Sequence, residues 1–348
     1  MERTAGHKQS SILGRLSCMW KTNPLFSTGV ALVVMIVLQT VALGFNFDSF
    51  GAWFSKWLSN WVNILRNNAG IGIIALGMTF VIISGGIDLS VGSIYVAVGA
   101  LTFVLLDTGS AGILGMAGIS GVPAILIAVI AAMAFGTLLG EGNGLLIANG
   151  KMPPFIATLG AMQILRSVTQ YFMQKKSITL PKEFLNISSV SVGGQILMPI
   201  LYWAIAVAVM YVISKHTTFG RHVYAIGSNE RTTRLSGVNV KKVKRRVYAL
   251  TGLLVAVATI VQTSRIGSMD YASAGSGYEM DAIAAVIVGG TSMSGGRGSV
   301  VGTVFGTLIV AVMNNLLVLI GVDPYLSSAF KGAIIIGAVL LQRKDADK

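Results

Sequence analysis

Hydrophobic residues run through this chain in long blocks, and polar residues are confined to the short gaps between them. Blocks at roughly 27–45, 64–84, 91–107, 123–148, 155–173, 196–214, 247–265, 281–292, 299–320 and 325–341 carry few charges. A helix needs about 20 such residues to cross a hydrocarbon core. The pattern predicts an all-α, polytopic membrane protein of about ten transmembrane helices, with the block at 281–292 too short to cross alone. One interruption stands apart. Gly85 to Ser93 places two glycines, an acid and two hydroxyls between apolar runs at Ala69–Ser84 and Val91–Leu106. In a membrane such a stretch is either a surface turn or a break in a helix. The 281–292 block closes on a similar cluster at Gly289-Gly290. Short, glycine-broken segments in both halves point to a transporter's central path. The expectation is therefore a broken helix, with Gly85, Gly86, Asp88, Ser90 and Ser93 along the translocation pathway.

Composition agrees with the pattern. Of the 348 residues 53% are hydrophobic and 11% charged, and the mean hydropathy is +0.74. Soluble domains carry about 25% charged residues. The net charge of +13 does not by itself imply nucleic acid, because in a membrane protein the distribution of Lys and Arg matters more. With the N-terminus inside, 18 basic residues fall on inner segments and six on outer ones. That bias puts both termini in the cytoplasm: a segment at 1–26, a transmembrane domain at 27–341 and a tail at 342–348. The first 26 residues are polar and the first apolar run is too long for a signal peptide, so cleavage is not expected.

The inner segment 215–246 holds nine bases and one acid, Glu230. Charge alone fits an anchor to anionic lipid headgroups. The stretch Asn229 to Leu235 also reads as a short helix ending at Gly237, a shape that offers a partner protein a handle.

The chemistry available is limited. There is no Walker A sequence, the three histidines form no metal-spaced set, and the single cysteine, Cys18, leaves no internal disulfide. No bound cofactor or metal is expected. Asp88, Glu141, Arg166 and Lys331 fall in or beside spans. Asp88 suits the N-cap of the following helix as well as a pathway role. Glu141 is expected at the cytoplasmic end of its span, and Arg166 and Lys331 are expected to pair or snorkel. An ion-coupled secondary transporter is the alternative, with Asp88 or Glu141 carrying the coupling. Gly136, Gly140 and Gly144, and likewise Gly298, Gly302 and Gly306, recur every four residues and predict close helix packing. The stretch from Asn143 resembles that from Asn314, which pairs the fourth block with the ninth and implies inverted five-helix repeats. Gly85-Gly86 also resembles Gly289-Gly290, at a different offset.

The stretch Ile71 to Ser93 resembles the permease subunits of ABC sugar importers of the ribose, xylose and galactose class. So do Asn143-Gly-Leu-Leu-Ile, Pro154-Phe-Ile-Ala-Thr-Leu-Gly160, Thr218-Phe-Gly-Arg, Tyr224-Ala-Ile-Gly-Ser-Asn, Ser236-Gly-Val, Val288-Gly-Gly and Lys331-Gly-Ala-Ile-Ile-Ile. The likeness covers residues 64 to 341 and implies a ten-helix permease in a bacterial inner membrane. It would work as a dimer with a second permease copy or paralogue. Its other partners would be a cytoplasmic ATPase, which uses ATP and Mg, and an extracytoplasmic sugar-binding protein; membrane lipid surrounds it and nucleic acid has no role. Residues Asn229, Glu230, Thr232, Thr233, Ser236 and Gly237 resemble that family's coupling loop, which docks into the ATPase. This chain departs from the family in its Thr232-Thr233 pair and in Glu141. The resemblance implies import of a pentose or hexose by alternating access, with no ATP hydrolysis by the chain itself.

Overall fold

The computed structural model describes residues 24–45, 49–109, 112–174, 176, 178–323 and scattered positions between 326 and 336. Residues 1–23, the tail at 342–348 and most of the block at 325–341 lie outside the described residues. The described elements are α1 (Pro24–Leu43), α2 (Phe50–Ile83), α3 (Val91–Leu106), α4 (Ile113–Met116), α5 (Gly121–Ala148), α6 (Pro154–Met173) and α7 (Lys182–Ser189). A minimal antiparallel hairpin follows, β1 (Ser191–Val192) with β2 (Gln195–Ile196). Then come α8 (Met198–His216), α9 (Thr218–Ser228), α10 (Glu230–Leu235), α11 (Val240–Ile266), α12 (Tyr278–Val288) and α13 (Val300–Leu319). Nine of the expected apolar blocks thus fall on described helices, and the tenth lies mostly outside the described residues. Six described helices, α1, α2, α5, α8, α11 and α13, are long and apolar enough to cross a membrane.

The bundle is organised around α11, which is buried along most of its apolar length. The glycines at 136, 140 and 144 explain how α5 reaches it. A Cβ at Gly136 would strike the Gly252 carbonyl and one at Gly140 the Tyr248 carbonyl, while one at Gly144 would strike the Arg245 backbone. Here the smooth face expected from the sequence is a backbone-to-backbone contact. In lipid, where apolar side chains gain little by leaving the solvent, such close approach is a main source of association. The second glycine series splits. Gly302 and Gly306 face Gly289 and Ala285 of the α12 end, whereas Gly298 precedes α13 and sits on Thr291 and Ile83.

One boundary needs correction. The apolar block at 64–84 is only the second half of α2, which begins at Phe50 and runs for 34 residues. At about 1.5 Å per residue it is far longer than a hydrocarbon core of about 30 Å. Ser55, Lys56, Ser59 and Asn60 hide the first half from a hydropathy reading. Aromatic spacing reveals it: Phe50, Trp53, Phe54, Trp57 and Trp61 stack along one side, with centroids 5.8 to 6.4 Å apart. Ser49 caps the start by accepting the Ala52 N–H at 3.2 Å. Trp53 and Trp57 then donate to the Gly44 carbonyl and the Thr40 hydroxyl, which fixes α1 against α2.

The shortness of the eighth block also has a structural origin. After α11 the segment 267–277 is irregular and folds back along α3. The Met269 side chain lies against Gly99, Tyr271 packs edge-on to Phe103, and the Gly275 backbone meets Gly92. The chain therefore re-enters the bundle before α12 begins, and 11 helical residues suffice to reach the end where α13 starts.

Candidate functional site

The Gly85–Ser93 segment reverses the chain. The end of α2 is a glycine C-cap: Gly85 has φ +80°, its N–H reaches the Ile82 carbonyl at 2.9 Å, and the Gly86 N–H reaches Val81 at 2.9 Å. Only glycine takes this left-handed position without a Cβ penalty. α2 runs antiparallel to α11, with Gly77 beside Thr251 and Gly70 beside Ala258. α3 runs parallel to it, from the Ile87 carbonyl near the Tyr248 hydroxyl to Gly99 near Thr259. The two helices flank α11 in opposite directions, so the expected interruption of one continuous helix is a turn between two helices.

Inside that turn, Asp88 Oδ1 accepts both the N–H and the hydroxyl of Ser90, at 2.9 and 2.6 Å. Asn143 of α5 donates to the same Ser90 hydroxyl at 2.7 Å. Ser90, rather than Asp88, holds the N-cap position of α3, and Asp88 supports it from two residues upstream. Asp88, Ser90 and Ser93 are each 0% exposed, while Gly85 is open. The three polar side chains therefore face this chain's own helices, not an opening. Among the described residues, Asp88 Oδ2 and Ser93 Oγ have no hydrogen-bond partner.

The basic segment folds as three pieces: α9, α10 and the start of α11. α10 is the short helix anticipated between Asn229 and Gly237. Asn229 Oδ1 accepts the Thr232 N–H at 2.9 Å, and the Thr233 hydroxyl donates to the Asn229 carbonyl at 2.8 Å. The Ser236 hydroxyl donates to the Thr232 carbonyl at 3.1 Å. Gly237, at φ +83°, closes the helix, its N–H reaching Arg234 and that of Val238 reaching Thr233. Glu230 accepts from Lys244 at 2.7 Å and from Arg234 at 2.6 Å. The Lys244 hydrogen bond, with Arg234 adding to it, holds the Glu230 carboxyl below its ordinary range. Thr233 is buried beneath the helix, whereas Leu235 is 82% exposed at its tip. An open groove of about 340 Å³ runs beside α10, lined by Ala225, Ser228, Asn229, Thr232, Ser236 and Val238.

α9 was not legible as a separate element, though Thr217 gives a capping signal: its hydroxyl accepts the Gly220 N–H at 3.1 Å. This helix ties α10 to the bundle. Phe219 stacks on Phe80 of α2 at 6.2 Å, and the Tyr224 hydroxyl donates to the Gly298 carbonyl at 3.0 Å. Gly227 lies directly on the Ile83 carbonyl and the Gly296 backbone. The Gly296 N–H in turn donates to Ile83 at 2.9 Å. Three things meet here: the basic segment, the turn after α2 and the turn between α12 and α13.

Two of the other charged residues singled out in the spans, Glu141 and Arg166, have structural partners. Glu141 receives both Nε (2.7 Å) and Nη2 of Arg245, which locks the α5 end to the α11 start. Arg166 of α6 donates to the Ala274 carbonyl at 2.6 Å, with Glu279 within electrostatic reach, in line with the pairing expected of it. Lys331 lies outside the described residues. Among the described residues, no three metal-ligating side chains gather.

A bundle of apolar helices, six of them long enough to cross a membrane, with a short capped helix in its basic segment, defines a multi-pass membrane protein. The family model described as "Branched-chain amino acid transport system / permease component" matches residues 60–339. The chain belongs to this permease family. It is 44% identical over 287 residues to the ribose import permease protein RbsC of Bacillus subtilis, covering 82% of this chain and 85% of that protein. It is 38% identical over 312 residues to RbsC of Haemophilus influenzae (88% and 90%). It is 34% identical over 321 residues to the fructose import permease protein FrcC of Rhizobium meliloti (90% and 85%). The chain is a membrane-embedded permease component and not an enzyme.

Proposed function

We propose that this chain is the membrane subunit of an ATP-driven importer that passes a monosaccharide, a pentose or hexose, into the cytoplasm by alternating access. The observation that carries the proposal is the junction at Gly227. A short helix with an exposed tip, of the size an ATPase could grip, is tied through α9 to the turns that end α2 and α12. A push on α10 reaches the transmembrane helices through backbone contacts. The ribose and fructose importers among the relatives supply the substrate class.

The cytoplasmic ATPase binds at Asn229, Glu230, Thr232, Ser236 and Gly237, with the buried Thr233 holding α10 from beneath instead of meeting the partner, and it alone uses ATP and Mg. An extracytoplasmic binding protein delivers the sugar to the opposite end, and a second permease copy or paralogue completes the passage. Gly85, Gly86, Asp88, Ser90 and Ser93 act as the joint beside the passage, which the burial of Gly86, Asp88, Ser90 and Ser93 supports. Ten spans with both termini cytoplasmic follow from the charge bias. The fourth and ninth blocks, α5 and α13, hold equivalent places in two inverted five-helix halves. Sugar affinity inside the permease is low, since a conduit that binds tightly releases slowly.

The test is reconstitution of the permease with its ATPase and binding protein in proteoliposomes, with uptake of labelled ribose, xylose and fructose. ATP-dependent uptake of one of them is the expected result. Uptake that survives removal of the ATPase and collapses with the proton gradient would overturn the proposal.

A further inference from the structure

Of the seven described helices with 18 or more residues, α6 alone falls short of the apolarity that a lipid-facing span needs. Its polar residues are ordered. Gln163, Ser167 and Gln170 recur at steps of four and three and so share one edge, with Arg166 beside it. Gln163 is the tenth of the 20 residues, at the middle of the helix, and both it and Ser167 are exposed. An amide at that depth faces water or a polar partner, because lipid leaves its hydrogen bonds unmade.

The same edge lies against the irregular segment 267–277. Arg166 donates to the Ala274 carbonyl at 2.6 Å and Gln170 to the Ala272 carbonyl at 3.4 Å. Ser273 and Ser276 of that segment are exposed. Non-helical backbone at membrane depth is tolerated only where it is packed in protein or lines a watery cavity. One flank of the segment is packed on α3 at Gly92 and Gly99 and its start on Leu185 of α7, while Ser273 and Ser276 stay exposed beside the α6 edge.

From this juxtaposition we infer that the polar edge of α6 and the segment 267–277 form one wall of the sugar passage. The inference rests on the importer reading above. The wall presents mainly amides and hydroxyls; Arg166 is committed to a carbonyl and lies near Glu279, and the exposed Asp270 carboxylate already accepts from the Ala272 N–H and the Ser273 hydroxyl. Such a surface, rich in hydroxyls and amides, suits a neutral polyhydroxylated solute. The passage therefore runs along α6, and the buried Asp88–Ser90–Asn143 chain supports it from behind.

The test uses the full complex with its ATPase and binding protein, with Cys18 replaced by Ser. Gln163→Cys and Ser167→Cys are compared with Leu138→Cys, an exposed apolar position of α5. A membrane-impermeant cationic methanethiosulfonate should modify positions 163 and 167 roughly tenfold faster than 138, since thiol reactivity needs aqueous access. The modification should also abolish ATP-driven ribose uptake. Modification at 163 no faster than at 138, or complete modification with unchanged uptake, overturns the inference. A disulfide between two copies at 163 without reagent access marks a dry seam between copies and also overturns it. Rapid modification in a complex that takes up no sugar leaves the watery wall standing and sinks the importer reading instead.

Discussion

Asn143 of α5 donates to the Ser90 hydroxyl at 2.7 Å, and that hydroxyl donates to Asp88 at 2.6 Å. A helix end and a turn 53 residues apart in sequence are thereby joined by a fully buried polar chain. Replacing Asp88 by Asn keeps an acceptor for both Ser90 bonds, so expression and detergent-solubilised stability should stay near wild type. The second oxygen, which has no partner here, becomes an amide donor, and uptake should fall as the turn moves against altered surroundings. Asp88→Ala instead strands the Ser90 N–H and hydroxyl and should cost about 1–3 kcal/mol. Thermal unfolding read beside uptake separates the two variants. Normal uptake by Asp88→Asn would return the residue to a dispensable support.

The seam between α5 and α11 gives a prediction about folding. A Cβ at Gly252 would strike the Gly136 carbonyl and the Gly140 backbone, atoms that cannot step aside. Gly252→Val should cost about 1–3 kcal/mol through overpacking and lower the yield of folded protein. Gly142 lies on α5, the helix across the seam from Gly252, with open space around it, so Gly142→Ala should be neutral. Fluorescence-detected size exclusion of tagged membranes checks both. Equal yields would show that α5 does not need this close approach.

Glu230 makes α10 sensitive to acid. Its carboxyl is held low mainly by Lys244, so the ion pairs contribute at neutral pH. That contribution is lost as pH falls below the ordinary glutamate range and through the lowered value. The carboxylate is 39% exposed, which limits the pairs to about 1 kcal/mol or less. Hydrogen exchange over residues 230–237 should therefore quicken a few-fold in Glu230→Gln at pH 7, and in the wild type only under strong acid. Identical exchange in the two proteins at pH 7 would remove the pairs from the helix's stability.

Leu235 is 82% exposed at the tip of α10, an apolar side chain held out beyond the basic end by a helix capped at both ends. A partner's pocket explains that placement better than water does. Leu235→Asp should abolish copurification of the ATPase while membrane insertion stays unchanged. Gly237→Trp should have the same effect by straining the left-handed cap at φ +83°. Undiminished copurification in both variants would sink the docking assignment.

The sequence reveals those parts of the fold that depend on local pattern. The four-residue glycine spacing marked α5 for close helix packing, because such packing leaves its mark in side-chain size, though it did not name α11 as the partner. The cap residues Asn229 and Gly237 bounded α10 because capping is a matter of a few neighbouring residues. What the sequence hid is set at long range. Hydropathy truncated α2 because Lys56 and its polar neighbours sit among aromatic rings that stack in three dimensions. The Gly85–Ser93 stretch looked like an interrupted helix because its composition cannot show that α3 returns along α11. The polar edge of α6 went unranked because Gln163 and Ser167 gain meaning only beside the segment 267–277.

The junction at Gly227 separates binding of the ATPase from use of its motion. Gly227 lies on the Ile83 carbonyl and the Gly296 backbone, too close for a Cβ, whereas α10 is capped separately by Asn229 and Gly237. Gly227→Ala should push α9 off the turns after α2 and α12 while the docking helix keeps its caps. The ATPase should still copurify. The complex should hydrolyse ATP at near wild-type rates and take up little sugar, so the ATP consumed per sugar imported rises severalfold. Tyr224→Phe removes the hydroxyl that bonds both the Gly298 carbonyl and the Ser214 hydroxyl, a loss of about 0.5–1.5 kcal/mol for each bond, and should produce a milder form of the same defect. Proteoliposomes assayed for hydrolysis and uptake together decide the matter. Parallel loss of both would place Gly227 in assembly, and a normal ratio would show that force reaches the helices by another route.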